Sequence, residues 1–428
     1  MTSISKDEQG IVTVSDESRH GFEDGDYIMF REVEGMTEVN GEKFKIEVIS
    51  PFSFKIGDTS KFGDYTRQGI CEQTKVPFEI NQKSLAECLE EPLAKGEFMM
   101  HDPDMDFEWM NKPYELHLVL RSVTDFYAAN KRLPQLLNKD DAASLRGIVD
   151  HRLTEIKAKK AEWDSKMKEE KKEGEEAERE PSMLRLESVN DTLVENVALY
   201  GCAQVPPFNS FWGGIVAQEV VKYTGKFTPL NQWVHYSTFK HCLPDGEVKR
   251  TNDINDRFRD QKVIFGDEAV EKMKHLKLFM VGSGALGCEY LKQFALMGVS
   301  SAGDGSLIVT DDDSIDISNL NRQFLFRKHH VSKSKAEVAC GVAKTINKDI
   351  NAVAMKYRVG EDTENIFTDV FWDNIDCVFG AVDNVKARQY VDSKCVLHNK
   401  HLIESGTLGT KCNSQMVIPF KTESYSDS

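Results

Sequence analysis

The chain has 428 residues, 54 Lys and Arg against 70 Asp and Glu, and a formal charge of −16. Its 40% hydrophobic content supports several buried cores and excludes a wholly disordered chain. The acidic balance excludes a dedicated nucleic-acid binder, and no apolar run approaches the roughly 18 residues needed to span a bilayer.

In chain order, residues Gly10 to Pro77 predict β structure. Gly10–Val14, Asp26–Phe30 and Phe44–Ile49 are short β-branched or aromatic runs separated by turn residues at Glu23-Asp24-Gly25, Asn40-Gly41, Pro51 and Gly57-Asp58. A small barrel or sandwich is expected. From Lys83 to Cys202 the period changes to that of a helix: Leu116, Val119, Leu120, Val123, Phe126 and Tyr127 predict one buried face, and Asp140 predicts a cap for the next helix. Glu155–Glu180 carries eight basic and ten acidic residues in 26, which predicts a solvated helical hairpin or a partly disordered arm rather than a nucleic-acid surface.

Residues Gln204–His235 predict a glycine-entered buried helix at Gly213–Lys222 and a strand at Gln232–Tyr236. From Leu276 onward, strands and helices alternate. Strands are expected at Lys277–Val281, Ser306–Thr310, Ala352–Val359, Asp376–Val382 and from Leu402, with helices after Gly284, over Val338–Ile346 and from Asn384 to Leu397. This pattern predicts a mostly parallel sheet.

Gly282-x-Gly284-x-x-Gly287 stands between a strand and a helix, where glycines let backbone N–H groups approach a phosphate. Asp311 follows 24 residues after Gly287, in the position of an acid that grips ribose hydroxyls. The Asp311-Asp312-Asp313 carboxylates suit magnesium. Asn319, Arg322 and Gln323 add amides and a guanidinium, and Lys335 a further cation. A dehydrogenase has no need of that cationic set, whereas splitting ATP between its α- and β-phosphates does. Asp383-Asn384 closes a strand where open α/β sheets bind ligands, either as nucleotide or magnesium ligands or as a helix cap. Glu404–Lys411 is expected to be a flexible loop, covering a substrate tail or merely connecting. The nine scattered cysteines contain no C-x-x-C, as expected of reduced thiols in the cytosol or nucleus.

At these residues the chain resembles the ubiquitin-activating enzymes, adenylating enzymes with the MoeB/ThiF fold. The resembling strings are VGSGALGCEYLKQFALMG, VTDDDSIDISNLNRQFLFR, AVDNVKARQYVD and LIESGTLGTKCNSQMVIPFKTESYS. Earlier, RHGFEDGDYIMFREVEGM with FKIGDTSKF resembles the first catalytic cysteine half-domain, and GGIVAQEVVKYTGKFTPLNQWVHYS the tail of the inactive adenylation half. The implied fold class is multidomain α/β, a Rossmann-like MoeB/ThiF adenylation domain with a small β-barrel insert and a helical-bundle insert. The implied domains are the half-domain over 1–80, a four-helix-type insertion over 81–202, the inactive-half tail over 203–250 and the active adenylation domain over 251–428.

The resemblance implies ATP and magnesium as cofactors and ubiquitin and its conjugating enzymes as partners, with no nucleic acid or membrane. Gly282, Gly284, Ala285, Asp311, Asn319, Arg322, Gln323, Lys335, Val359, Asp383 and Asn384 would line the nucleotide pocket. Asp313 and Asp383 would hold magnesium, and Arg322, Lys335 and Asp383 would serve catalysis. The thioester cysteine is expected downstream of Ser428 and most of the inactive half upstream, which makes the chain a fragment. Cys412 replaces a glycine and is expected to be a buried or incidental thiol. Gly380-Ala381-Val382-Asp383 replaces the commoner Asn-Ala-Leu-Asp. Activation of another ubiquitin-like protein, or a non-catalytic scaffold, remains open at this point.

Overall fold

The computed structural model describes residues 2–15, 19–77, 79, 81–92, 112–170, 180–224, 227–230, 233–408 and 411–427. Two units, Met1–Gln82 and Lys83–Ser428, are described separately.

In the first unit β1 (Ser3–Ile4), β2 (Ile11–Thr13), β3 (Tyr27–Glu34), β4 (Lys43–Lys45), β5 (Glu47–Ser50), β6 (Ser53–Lys55) and β7 (Arg67–Gln73) form two antiparallel sheets, β1-β2-β6-β5 and β4-β3-β7. Alternate residues of both sheets, including Val12, Phe54, Ile28 and Phe30, meet in one apolar core. The expected strands are present, the third run divided between β4 and β5, and β1, β6 and β7 are further strands.

The second unit begins with α1 (Leu85–Glu90), α2 (Lys112–Asn130), α3 (Lys139–Glu170) and α4 (Asp191–Tyr200). Leu116, Val119 and Phe126 face the bundle core as expected, with Val123 packed at its edge, but Leu120 and Tyr127 are exposed. The 3–4-residue repeat is narrower than the run suggested, and those two side chains drift off its edge. Asn138 rather than Asp140 caps α3, its Oδ1 accepting the N–H groups of Asp140 (2.9 Å) and Asp141 (3.1 Å). The charged stretch is not a hairpin through Glu170: it continues α3 as one helix, its (i, i+3) and (i, i+4) charges in water. Residues 171–179 lie outside those described.

The next helix, α5 (Pro206–Lys222), corrects the expected buried helix. It is entered at Pro206-Pro207, the two glycines are interior, and none of its residues is buried. It packs on the helix Ala285–Met297 and leaves Val216, Val220 and Val221 exposed. Of the expected strand at Gln232–Tyr236, Gln232 lies outside the described residues, and among the rest only Val234 forms a bridge. Its neighbour His235 is instead buried against His117, Nε2 to Nδ1 3.0 Å, and burial pushes the His235 pKa down to about 4. The short helices α6 (Phe239–Cys242), α7 (Arg259–Phe265) and α8 (Asp267–Lys274) lead into the sheet.

That sheet carries the candidate site. Its elements are β8 (Lys277–Val281), α9 (Ala285–Met297), β9 (Ser306–Thr310), α10 (Lys335–Ile346), β10 (Ala352–Met355), α11 (Asp369–Asp373), β11 (Cys377–Gly380), α12 (Val385–Leu397), β12 (His401–Leu408) and β13 (Lys411–Val417). The order is β10-β9-β8-β11-β12-β13, parallel from β10 to β12 with β13 antiparallel at the edge. Leu278 and Met280 of β8 enter one core with α9 and α10, while Phe279 and Val281 enter the other with Trp372 and Val391. Both faces are covered, which is why the strand reads as a continuous apolar run. β8 lies where the connection reverses direction, and the loops beyond the carboxyl ends of β8, β9 and β11 form the crevice that such sheets use for ligands. Among the described residues no helix is long and apolar enough to cross a membrane.

Candidate functional site

Gly282 leaves β8 at φ +97°, and a Cβ there would lie 2.5 Å from the carbonyl oxygen of Ala381. Only glycine lets the loop run this close to the turn after β11. Gly287 is equally constrained, because its Cβ would sit 2.4 Å from the Gly282 oxygen. Gly284 is the N-cap of α9 and offers no side chain to the first-turn N–H groups, so Ala285 begins a helix terminus open to an anion.

Asp311 ends β9 and fixes this loop. Its Oδ2 accepts from Ser283 N (2.7 Å) and Ser283 Oγ (3.1 Å), and its Oδ1 accepts from Asp313 N (2.9 Å). The carboxylates of Asp311, Asp312 and Asp313 have oxygens within 4.8 Å of one another, a hard-oxygen donor set that fits magnesium. Lys335, the first residue of α10, is largely buried and extends its Nζ to Asp313 Oδ2 at 2.6 Å, while its own N–H donates to the Asp313 carbonyl at 3.0 Å. Gln323 is buried beside Gly284, and its Oε1 has no donor. A buried amide oxygen without a partner costs free energy and marks a position where a ligand group or water belongs.

The other expected residues are less convergent. Arg322 is exposed and folded back on its own turn, its Nη1 donating to Ser318 O (3.1 Å) and Asn321 Oδ1 (3.2 Å). Asn319 serves the same turn, accepting from Asp316 N at 2.9 Å. Val359 is buried in the core beneath the sheet and offers a ligand only an apolar wall or its backbone. Asn384 caps α12, its Oδ1 accepting from Ala387 N at 2.8 Å. Asp383 stands exposed at the head of that turn, and among the described residues no hydrogen bond or ion pair joins it to the Asp311–Asp313 group.

Glu404 is a correction. It lies in the middle of β12, paired with Gly380 of β11, and its side chain is 2% exposed rather than part of a flexible loop. Arg388 Nη1 approaches Glu404 Oε1 at 3.0 Å, and neither buried carboxylate oxygen accepts a hydrogen bond of good geometry. Burial raises the Glu404 pKa to about 7 against the opposing pull of Arg388. The signal missed in the sequence is a Glu inside the apolar strand Leu402-Ile403-Glu404, opposite a glycine with room for it. Cys412 is exposed rather than buried. Burial pushes Cys288 and Cys377 up to about 11 and Cys340 to about 12, the behaviour of inert thiols.

A doubly wound sheet with a glycine-gated helix terminus, an acidic strand end and a buried lysine defines a Rossmann-like α/β domain with a site suited to an anion and a cation. The ThiF family profile matches residues 258–428, the ubiquitin-activating enzyme E1 FCCH domain residues 7–75, and the ubiquitin-activating enzyme E1 four-helix bundle residues 76–151. The chain belongs to the ubiquitin-activating enzyme E1 family. It is 41% identical over 434 aligned residues to the ubiquitin-like modifier-activating enzyme 1 of Oryctolagus cuniculus, covering 100% of this chain and 38% of that one. The Homo sapiens protein of the same name is 40% identical with the same coverage. Ubiquitin-activating enzyme E1 1 of Arabidopsis thaliana is 41% identical over 99% of this chain and 37% of its own. The chain thus spans well under half the length of the relatives it matches. Among solved structures, E. coli MccB with succinimide covers 40% of this chain and 51% of its own, at 23% identity and a TM-score of 0.36.

Proposed function

We propose that this chain forms the ATP- and magnesium-binding centre of an enzyme that adenylates the C-terminus of ubiquitin and passes it to an enzyme cysteine. The observation that carries this reading is the convergence of the glycine loop, the Asp311–Asp313 carboxylates and buried Lys335 at the carboxyl edge of one parallel sheet. Bound magnesium–ATP would supply an electrophilic α-phosphorus and a pyrophosphate leaving group to the attacking glycine carboxylate.

The chain's own residues do the positioning. The open N–H groups at Gly284–Ala285 receive phosphate oxygens, and Asp311 keeps the loop in that shape through Ser283. Asp313 and Asp383 would hold the metal. Lys335, already desolvated and preoriented, neutralises charge developing toward the leaving group once Asp313 turns to the metal. Arg322 is free to leave Ser318 and clamp phosphate bidentately. Gln323 Oε1 gains the donor it lacks from the ligand or its water. Ubiquitin and its conjugating enzymes are the partners of this reading, and cytoplasm and nucleus its place.

Equilibrium binding tests the centre directly. ATP is expected to bind the 428-residue chain by calorimetry in a magnesium-dependent manner. Asp383→Ala is expected to weaken it by roughly tenfold or more, the value of a lost charge-assisted contact, without moving the thermal midpoint. Equal binding with and without magnesium, or an Asp383→Ala chain that binds like the parent, contradicts the assignment.

A further inference from the structure

The turn that carries Asp383 is held from behind by a buried charge relay. Arg388, one turn into α12, sends Nη2 to the carbonyl of Val382 at 2.7 Å and Nη1 to the buried Glu404 at 3.0 Å. Its own N–H donates to Asn384 O at 3.3 Å, beside the cap that Asn384 makes to Ala387. Two glycines make room for this arrangement. A Cβ on Gly380 would lie 1.8 Å from Glu404 Oε2, and one on Gly406 would lie 2.5 Å from Arg388 Nη1. The Arg388 side chain is only 15% exposed, and its guanidinium also stands over the Tyr425 ring at 5.9 Å. Such a planar, two-pronged cation, walled in on three sides, has few alternative positions.

We infer that Arg388, anchored by Glu404, is a positioning residue that fixes the Val382–Asp383–Asn384 turn and thereby sets the affinity of the adjoining site for magnesium-bound nucleotide. The consequence for nucleotide rests on the function proposed above; the fixing of the turn does not. Arg388 touches no expected ligand group. It acts through the Val382 carbonyl, one residue before the carboxylate that would meet the metal. Buried Glu404 faces Nη1 and, with Gly406 and the Tyr425 ring, keeps the guanidinium from swinging to solvent, and Gly380 is the residue that admits Glu404.

The test separates fixing from folding. Arg388→Gln alone leaves Glu404 buried without its cation, so the double variant Arg388→Gln/Glu404→Gln is made beside it. The double variant buries no unpaired charge, yet neither amide spans Val382 and residue 404 together. Hydrogen–deuterium exchange of the nucleotide-free chain is expected to rise at least tenfold at the Ala387 and Arg388 amides of the double variant. Peptides of β8 and β9 should stay protected and the thermal midpoint should not fall. Magnesium-dependent ATP affinity is expected to fall roughly tenfold in the double variant, and less in Arg388→Lys, whose single cation reaches one partner.

Unchanged exchange in a folded double variant overturns the positioning role whether or not ATP binds. Raised exchange with unaltered ATP affinity, in a chain where Asp383→Ala loses it, overturns the link to nucleotide alone. If the parent chain binds no ATP while exchange still rises, the function proposed above falls, and with it the link to affinity, but the fixing of the turn stands.

Discussion

Gly282→Ala is expected to destabilise the second unit by about 3 kcal/mol or more and to abolish nucleotide binding. At φ +97° an alanine is strained, and its methyl would lie 2.5 Å from the Ala381 oxygen and 2.9 Å from the Ala381 carbonyl carbon. Neither atom is a flexible side-chain end. The backbone between β11 and α12 must move, and it carries Asp383 with it. Gly284→Ala is the matched control. Its φ is −72°, and its nearest neighbour would be Gln323 Nε2 at 3.9 Å, so it should cost no more than about 1 kcal/mol, the loss of a good N-cap residue. Chemical denaturation of both variants, read by far-UV circular dichroism, checks the contrast, and a Gly282→Ala chain as stable as Gly284→Ala contradicts the close approach.

The second large effect is one of pH. The Glu404 carboxyl, raised by burial from an ordinary 4.5 to about 7, favours folding in its protonated form. Its contribution is fully present below about pH 4.5 and is lost as the pH rises through 7. Glu404→Gln imitates the protonated acid at every pH. The variant is therefore expected to match the parent near pH 4.5 and to exceed its stability by on the order of 3 kcal/mol at pH 8. Urea unfolding of the two chains across pH 4.5–8 measures the difference. A gap that narrows as the pH rises would show that the Arg388 attraction outweighs desolvation in this pair.

Much of the fold was legible because it rests on local signals. The buried strand Lys277–Val281, its glycine exit and the apolar period of α9 each announce the same element, and Asp311 falls at the end of β9 as its spacing predicts. The two β sheets of the first unit follow from alternation and turn residues. What was illegible depends on partners distant in sequence. Whether Val216 and Val220 are covered depends on what packs beside α5, and periodicity does not report that. Whether Leu120 faces in or out depends on the width of the groove between α3 and α4.

At the site, type and spacing pointed to the glycines, the carboxylate triplet and Lys335. Their settings were not legible. Lys335 could be placed near a helix start but not against Asp313, and Asn384 proved to be a cap, because which Oδ1 meets which N–H is decided by tertiary geometry. Glu404 and Arg388 were passed over for the same reason. They lie 16 residues apart on a strand and a helix, and only the register of β11 against β12 brings them together beneath the Val382 turn.

The most direct measurement of the account is ATP–pyrophosphate exchange, made on the protein as the cell produces it and with one modifier at a time. Exchange is expected to require both ubiquitin and magnesium and to collapse in Asp383→Ala. Exchange supported by another ubiquitin-like protein and not by ubiquitin, or exchange indifferent to magnesium, would contradict it.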